Sequence, residues 1–286
     1  MEKQIKDFIK VLSSRSKSEN TIIAYRKDLE QLNEYVKTKN IKEVTDITDR
    51  TLKDYIDTLK EEGLTPKTIS RKLNSTKTFF RYLESINAIQ KNPAGLISHP
   101  KVENMPPRVL SELEYRALRD AARSDTRTYI IIEILLQTGI RIGELCRIKQ
   151  SQINLSSKEP SLTVEEYGSN LERTIPLNQV AVEMFKEYAK IRPKTTNSDN
   201  LFITKSGNSL LIRNVRASID NVFKKAGIQN AKVNDLRNTF IAHHLSKGTN
   251  IFMLSKIIGH KRISTTEKYI GQVNIDMERL TPLSSL

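Results

Sequence analysis

Cysteine is nearly absent from this chain: Cys146 is the only one among 286 residues, so no disulfide can form within it. Its apolar helical setting predicts a buried structural thiol. Also missing is any apolar run approaching the length of a membrane span. The N-terminal MEKQIKDFIKVLSSRSKS alternates charged and apolar residues where a leader would be hydrophobic. Together these absences predict a cytoplasmic protein with no membrane partner. Metal-ligand patterns are missing too. His243 and His244 are adjacent, so on a helix they face different ways, and no carboxylate accompanies them at ligand spacing; no metal is expected. Acidic residues are outnumbered, leaving a net charge of +14 that is shared by both halves of the sequence. Such a balance suits a polyanion, either DNA or an acidic membrane surface. Its spread suits a clamp gripping a duplex from two sides.

What is present reads as two domains, mainly α with a small β-sheet. The first, over 1–97, has about four helices. Ile5, Phe8, Ile9 and Leu12 form one apolar stripe; Ile22, Tyr25, Leu29, Leu32 and Val36 form a second behind an N-cap at Ser18. A third helix follows Thr48 and stops at Gly63. The fourth opens at Pro66 and carries Lys67, Arg71, Lys72, Lys77 and Arg81, which taken alone is a solvated basic face. The segment 98–108, rich in proline, reads as a linker.

The second domain, 109–286, begins with a helix capped by Ser111, then a strongly apolar helix from Tyr129 to Gln137. Strands are expected at Ser161–Glu166 and Glu172–Leu177 around the turn Tyr167-Gly168-Ser169-Asn170, with a further short strand at Leu201–Thr204. Helices follow through Val182, Phe185 and Tyr188, over Ile212–Lys225, and from near Asp235. After Tyr269 the apolar Ile275, Met277, Leu280 and Leu283 are too few for a domain; by themselves they read as a helix docked on its own core.

Four residues suggest chemistry. Attack on a phosphodiester builds negative charge on its non-bridging oxygens, which planar guanidinium groups match with paired hydrogen bonds. Arg141, in TGIRIGE, and Arg237 can clamp one phosphate. His260 adds a donor or proton relay, and Tyr269 offers a phenol able to hold the phosphate covalently. Glu144, one turn after Arg141, is placed to orient it. On residue physics alone TGIR also reads as an ordinary helix boundary with an exposed arginine.

The stretch NDLRNTFIAHHLSKGTNIFMLSKIIGHKRISTTEKY, Asn234–Tyr269, closely resembles the second active-site box of the tyrosine site-specific recombinases, the lambda-integrase and Xer superfamily, and TGIRIGEL resembles their first. SENTIIAYRKDL, TPKTISRKLNSTKTFFRYL, the Asn92–Ala94 NPA and PPRVLSELE extend the likeness across the chain. The resemblance implies a SAM-like core-binding domain that lays helices across the major groove, and so DNA contacts from Lys67, Arg71, Lys72, Lys77 and Arg81, with Arg173 added from the second domain. It implies attack by Tyr269 to leave a 3′ phosphotyrosyl bond, charge stabilisation by Arg141, Arg237 and His260, no metal or ATP, and four protomers joined through their C-terminal tails on two DNA sites by way of a Holliday junction. A protein of this kind sits on the nucleoid.

Two departures stand out. Asn234 replaces the family's usual histidine, and an amide cannot titrate. No lysine lies between Ser161 and Leu177, where relatives carry one in the hairpin turn to protonate the leaving 5′ oxygen; Lys158, Arg173 and Lys205 are candidates to replace it. Absence of an arm-binding segment ahead of the helical domain points away from a lambda-type integrase and, with the two departures, toward a mobile-element enzyme for integration, excision or cointegrate resolution. A DNA-binding accessory protein with impaired catalysis is the alternative, with topoisomerase-like relaxation as a side reaction.

Overall fold

A computed structural model describes residues 1–14, 19–103, 105–155, 158–167, 170–194 and 197–272. Ser18 and the apolar tail beyond Gln272, with Ile275, Met277, Leu280 and Leu283, lie outside these residues, as do Gly168 and Ser169 of the hairpin turn. The chain divides into two compact units, Met1–Asn104 and Met105–Leu286. Among the described residues no helix is long and apolar enough to cross a membrane.

In the first unit, α1 (Glu2–Ser14), α2 (Glu19–Thr38), α3 (Asp49–Glu61) and α4 (Pro66–Ser85) surround one core. Local chemistry sets the boundaries. The Thr48 hydroxyl accepts from the Thr51 amide to start α3, and Thr65 does the same for Thr68 while Pro66 occupies the first turn of α4. Phe8 from α1 meets the Phe79 ring edge-on at 5.5 Å.

The basic helix α4 differs from its expected role. Lys72 is buried and gives its ammonium to Asp28 at 3.2 Å and to Gln31. Arg71 pairs with the same carboxylate, and the Ser75 hydroxyl donates to it at 2.8 Å. Asp28 is a core anion facing α4, and burial of a carboxylate demands such partners. Lys72 is therefore a buried structural cation, whereas Arg71 pairs with Asp28 through one nitrogen and keeps its side chain 47% exposed. Lys67 and Arg81 are exposed and Lys77 half-exposed. His99, in the proline-rich segment 98–108, meets the Ser70 hydroxyl at 3.0 Å.

The second unit runs through α5 (Glu112–Ala122), α6 (Thr126–Thr138), α7 (Ile142–Leu145), three strands β1 (Ile153–Asn154), β2 (Ser161–Val164) and β3 (Arg173–Pro176), then α8 (Gln179–Ile191), α9 (Ile212–Lys225), α10 (Val233–Ser246), α11 (Ile251–Ile258) and α12 (Ser264–Glu267). The sheet is antiparallel in the order β1-β2-β3, with Leu162 opposite both Ile153 and Ile175. Helix α6 is buried along most of its length, fully so at Ile132 and Ile134, with its one buried carboxylate, Glu133, paired to Arg119, so it forms the axis on which α5, α8 and α10 pack. The fold is mainly α with a small sheet.

One expected strand is missing. Leu201–Thr204 makes only a bridge between Ile203 and Ser209. The segment is buried through Phe202 and Ile203; its Leu201 and Thr204 amides donate to the Ile148 and Asn208 carbonyls, while the Ile203 amide between them donates to the Tyr188 hydroxyl at 3.1 Å, so the backbone pairing never runs on into a ladder. Cys146 is buried and burial pushes its thiol up to about 11, as befits an inert core residue. His243 is exposed, while His244 packs on the Phe240 ring at 4.3 Å.

Candidate active site

Two left-handed glycines frame the site. Gly139 ends α6 with φ 62°, and Gly259 ends α11 with φ 72°. Both turns are crowded as well as left-handed. A Cβ at Gly139 would fall 2.5 Å from the Phe240 ring, and one at Gly259 would fall 3.0 Å from the Arg173 side chain. Each glycine lets a helix stop abruptly and present its last carbonyls inward.

Arg237, on α10, collects those carbonyls. Its Nη1 donates to the Gly139 oxygen and its Nη2 to the Ile258 oxygen, both at 2.7 Å. Helix C-termini carry partial negative charge, so two of them converge on one buried cation. Burial and then the neighbouring Arg141 push this guanidinium down to about 9, partly offset by Glu144; it stays charged at neutral pH.

Arg141 precedes α7, and Glu144 reaches back to it. The Glu144 carboxylate accepts from the Arg141 amide at 2.8 Å and from its Nη1 at 3.0 Å. Arg173, on β3, approaches from the other side with Nη1 at 3.0 Å and Nη2 at 2.7 Å, while its Nε donates to the Ile257 oxygen at 2.9 Å. Glu144 is thus held by two arginines. Burial raises its pKa, yet the bonds and charge of Arg173, with Arg141, outweigh burial and hold it below the usual carboxylate value.

His260 follows Gly259, and its Nδ1 lies 2.8 Å from the hydroxyl of Thr266, which is wholly buried on α12. Burial, reinforced by Arg237, Arg141 and Arg173, lowers its pKa to about 4, so the ring is neutral at pH 7. Tyr269 is 6% exposed and its hydroxyl donates to Asn238 Oδ1 at 2.8 Å. Burial first, and Asp235 in addition, raise the phenol against the opposing pull of Arg237. Asn234 also donates to Asn238 Oδ1, at 3.2 Å.

Three arginines, a neutral histidine and a tyrosine gathered this way can receive a phosphate and attack it. The chain matches two family models, the phage integrase family over residues 108–274 and the phage integrase N-terminal SAM-like domain over residues 5–86. This chain belongs to the phage integrase family. It is a tyrosine recombinase, an enzyme that cleaves and rejoins DNA. It is 30% identical over 270 residues to the tyrosine recombinase XerC of Staphylococcus saprophyticus, covering 92% of this chain and 90% of that one. Among solved structures, the XerA recombinase is 27% identical with a TM-score of 0.54, covering 93% of each chain. A lambda integrase dimer bound to a COC′ core site shares the fold with a TM-score of 0.78 at 18% identity, covering 99% of each chain.

Within the recombinase, the structure brings Arg141, Arg237, His260, Tyr269 and Glu144 into one neighbourhood, and links Asn234 to it through Asn238. Arg173 changes place in the account. Expected as a DNA contact, its side chain is only 7% exposed and every contact described above is internal, to Glu144 and Ile257. It is a buried member of the site. Lys205 is not brought there: it is exposed and lines a cleft with Asp125, Tyr188 and Pro193. Lys158 is exposed on the loop between β1 and β2. The residues missed from sequence are Asn238 and Thr266. Asn238 had one available signal, its position one turn after Asn234 on the same helical face; Thr266 had none. Among the described residues, no cluster of His, Cys, Asp and Glu is arranged to hold a metal.

Proposed function

We propose that this recombinase cuts duplex DNA through Tyr269 to give a 3′ phosphotyrosyl bond and a free 5′ hydroxyl, and joins partner strands through a Holliday junction in the service of a mobile element. The convergence of Arg141 and Arg237 with Tyr269 carries the reading. Arg237, fixed by two carbonyls, and Arg141, fixed by Glu144, hold the non-bridging oxygens, because charge that develops in the transition state is best met by donors already in place. His260 supplies a neutral ring whose free nitrogen donates to phosphate. Energy of the cleaved bond is kept in the tyrosyl ester, so rejoining needs neither ATP nor a metal.

The two basic units, 1–97 and 109–286, close around the duplex through the segment 98–108, with Lys67, Lys77 and Arg81 meeting the DNA. Four protomers act on two sites, linked by their C-terminal tails. Arg173 does not replace the hairpin lysine as proton donor, since its protons are engaged by Glu144. A supercoiled plasmid carrying two directly repeated copies of the element's own junction tests this reading. The reading expects deletion circles and, with slowed turnover, X-shaped molecules on a two-dimensional gel. Asn234 and the lysine-free hairpin favour a second reading, an accessory DNA-binding protein, which expects binding to the junction with neither product.

A further inference from the structure

The orientation of one amide decides how the nucleophile rests. Asn238 is 5% exposed, and its Nδ2 faces the Arg108 carbonyl, which can only accept, at 3.0 Å, and Asp235 Oδ1, which accepts as a carboxylate, at 3.2 Å. The carboxamide cannot be flipped without facing oxygen against oxygen. Its Oδ1 therefore points to Tyr269 and Asn234, and the Tyr269 hydroxyl, 2.8 Å away, must be the donor. Two donors fill the two lone pairs of that oxygen.

A phenol tied by its proton to a neutral amide is a poor nucleophile. The amide is too weak a base to take the proton, and the bond stabilises the protonated form. Burial compounds this. Tyr269 is packed in a small core with Phe240, Ile241, Leu245, Leu254 and Ile258, leaving little of it open to a phosphate. The latch is also well anchored, because Asn238 directly follows Arg237 on α10 and is braced by Asp235 and the Arg108 carbonyl.

We infer that Asn238 is a positioning residue that latches Tyr269 in a protonated resting state, and that DNA binding must exchange this hydrogen bond for the scissile phosphate before cleavage. Asn234, at the position where relatives carry histidine, supports the latch by donating into the same oxygen. The inference rests on Tyr269 being the nucleophile.

The test compares wild type, Asn238→Leu and Asn238→Asp in two measurements. The first is the single-turnover rate of covalent complex formation on nicked duplex at saturating DNA. The second is the ionisation midpoint of 3-fluorotyrosine at position 269 in DNA-free protein, assigned among the nine tyrosines by Tyr269→Phe. Arg237 and Asp235 are the charged groups that bear on this phenol, and neither is altered. Asn238→Leu is expected to cleave about fivefold faster, the factor carried by one neutral hydrogen bond, and to lower the midpoint. Asn238→Asp, near in shape but with an oxygen in place of the nitrogen that faces the Arg108 carbonyl and Asp235, keeps an acceptor whose charge strengthens the bond; it is expected to lose stability, to cleave more slowly and to raise the midpoint. An unchanged midpoint in both variants, no acceleration in a folded Asn238→Leu, or faster cleavage by Asn238→Asp, which would make position 238 a base, overturns the latch. Absence of cleavage by wild type would instead refute Tyr269 as nucleophile, while the midpoints still report on the hydrogen bond.

Discussion

Replacing Glu144 with glutamine should strip Arg141 and Arg173 of their shared buried counter-charge while keeping the side chain's shape. The Glu144 and Arg173 side chains are 4% and 7% exposed, so water cannot compensate either of them alone. Arg141 is 35% exposed and can turn outward, so its share is discounted. Removing one partner of a buried pair costs about 3–5 kcal/mol, and since glutamine still offers one acceptor oxygen the lower end, about 3 kcal/mol, applies. For a unit of this size that lowers Tm by about 6–12 °C. Arg173→Met should also destabilise, though less, because Glu144 keeps Arg141. The double variant removes both buried charges and should recover much of the loss. Urea denaturation of the four proteins forms the cycle. Acid adds a second check: a carboxyl held below its unfolded value contributes stability that is complete above about 4.5 and is lost as pH falls through the folded value, so the gap between wild type and Glu144→Gln should narrow in acid. A Glu144→Gln protein within about 0.5 kcal/mol of wild type, or an additive cycle, would refute the reasoning.

Three further expectations follow from the geometry. Arg237→Lys cannot bridge the Gly139 and Ile258 carbonyls and still offer nitrogens to phosphate, so strand cleavage should fall by about 10²–10³ in single turnover, as for loss of one transition-state donor. His260 is lowered to about 4 from 6.5, so the unfolded chain binds its proton in that window and the folded chain does not; stability should drop as pH falls from 6.5 toward 4, less so in His260→Gln, and imidazole NMR should show a neutral ring at pH 6. Lys67→Ala, Lys77→Ala and Arg81→Ala should each reduce the salt dependence of DNA binding by about one unit of slope, whereas Lys72→Met should leave the slope unchanged and alter stability instead.

Much of the fold was legible because its signals are local. Thr48, Thr65 and Pro66 mark helix starts through contacts three residues long, and the all-apolar face of α6 announces burial. The partners of Arg173 and Lys72 were not legible for the opposite reason. Lys72 meets Asp28 from 44 residues away, and Arg173 meets Glu144 and Ile257 across 29 and 84 residues, so only the folded chain shows that two cations on seemingly exposed elements face inward. At the site, Arg141, Arg237, His260 and Tyr269 stood out by type and spacing. Asn238 did not, since its only signal, a place one turn after Asn234, does not say what its amide touches. The Leu201–Thr204 segment looked like a strand because apolar burial was read as continuous pairing, when its backbone bonds to Ile148 and Asn208 are interrupted at Ile203 by the Tyr188 hydroxyl.

The most direct test of the central claim is denaturing electrophoresis of a labelled, nicked recombination site incubated in EDTA with wild type and with Tyr269→Phe. The account predicts a protein-linked DNA band from wild type that is absent from Tyr269→Phe, with duplex binding retained by both. Binding without any covalent band from wild type, or a band that survives Tyr269→Phe, would contradict it.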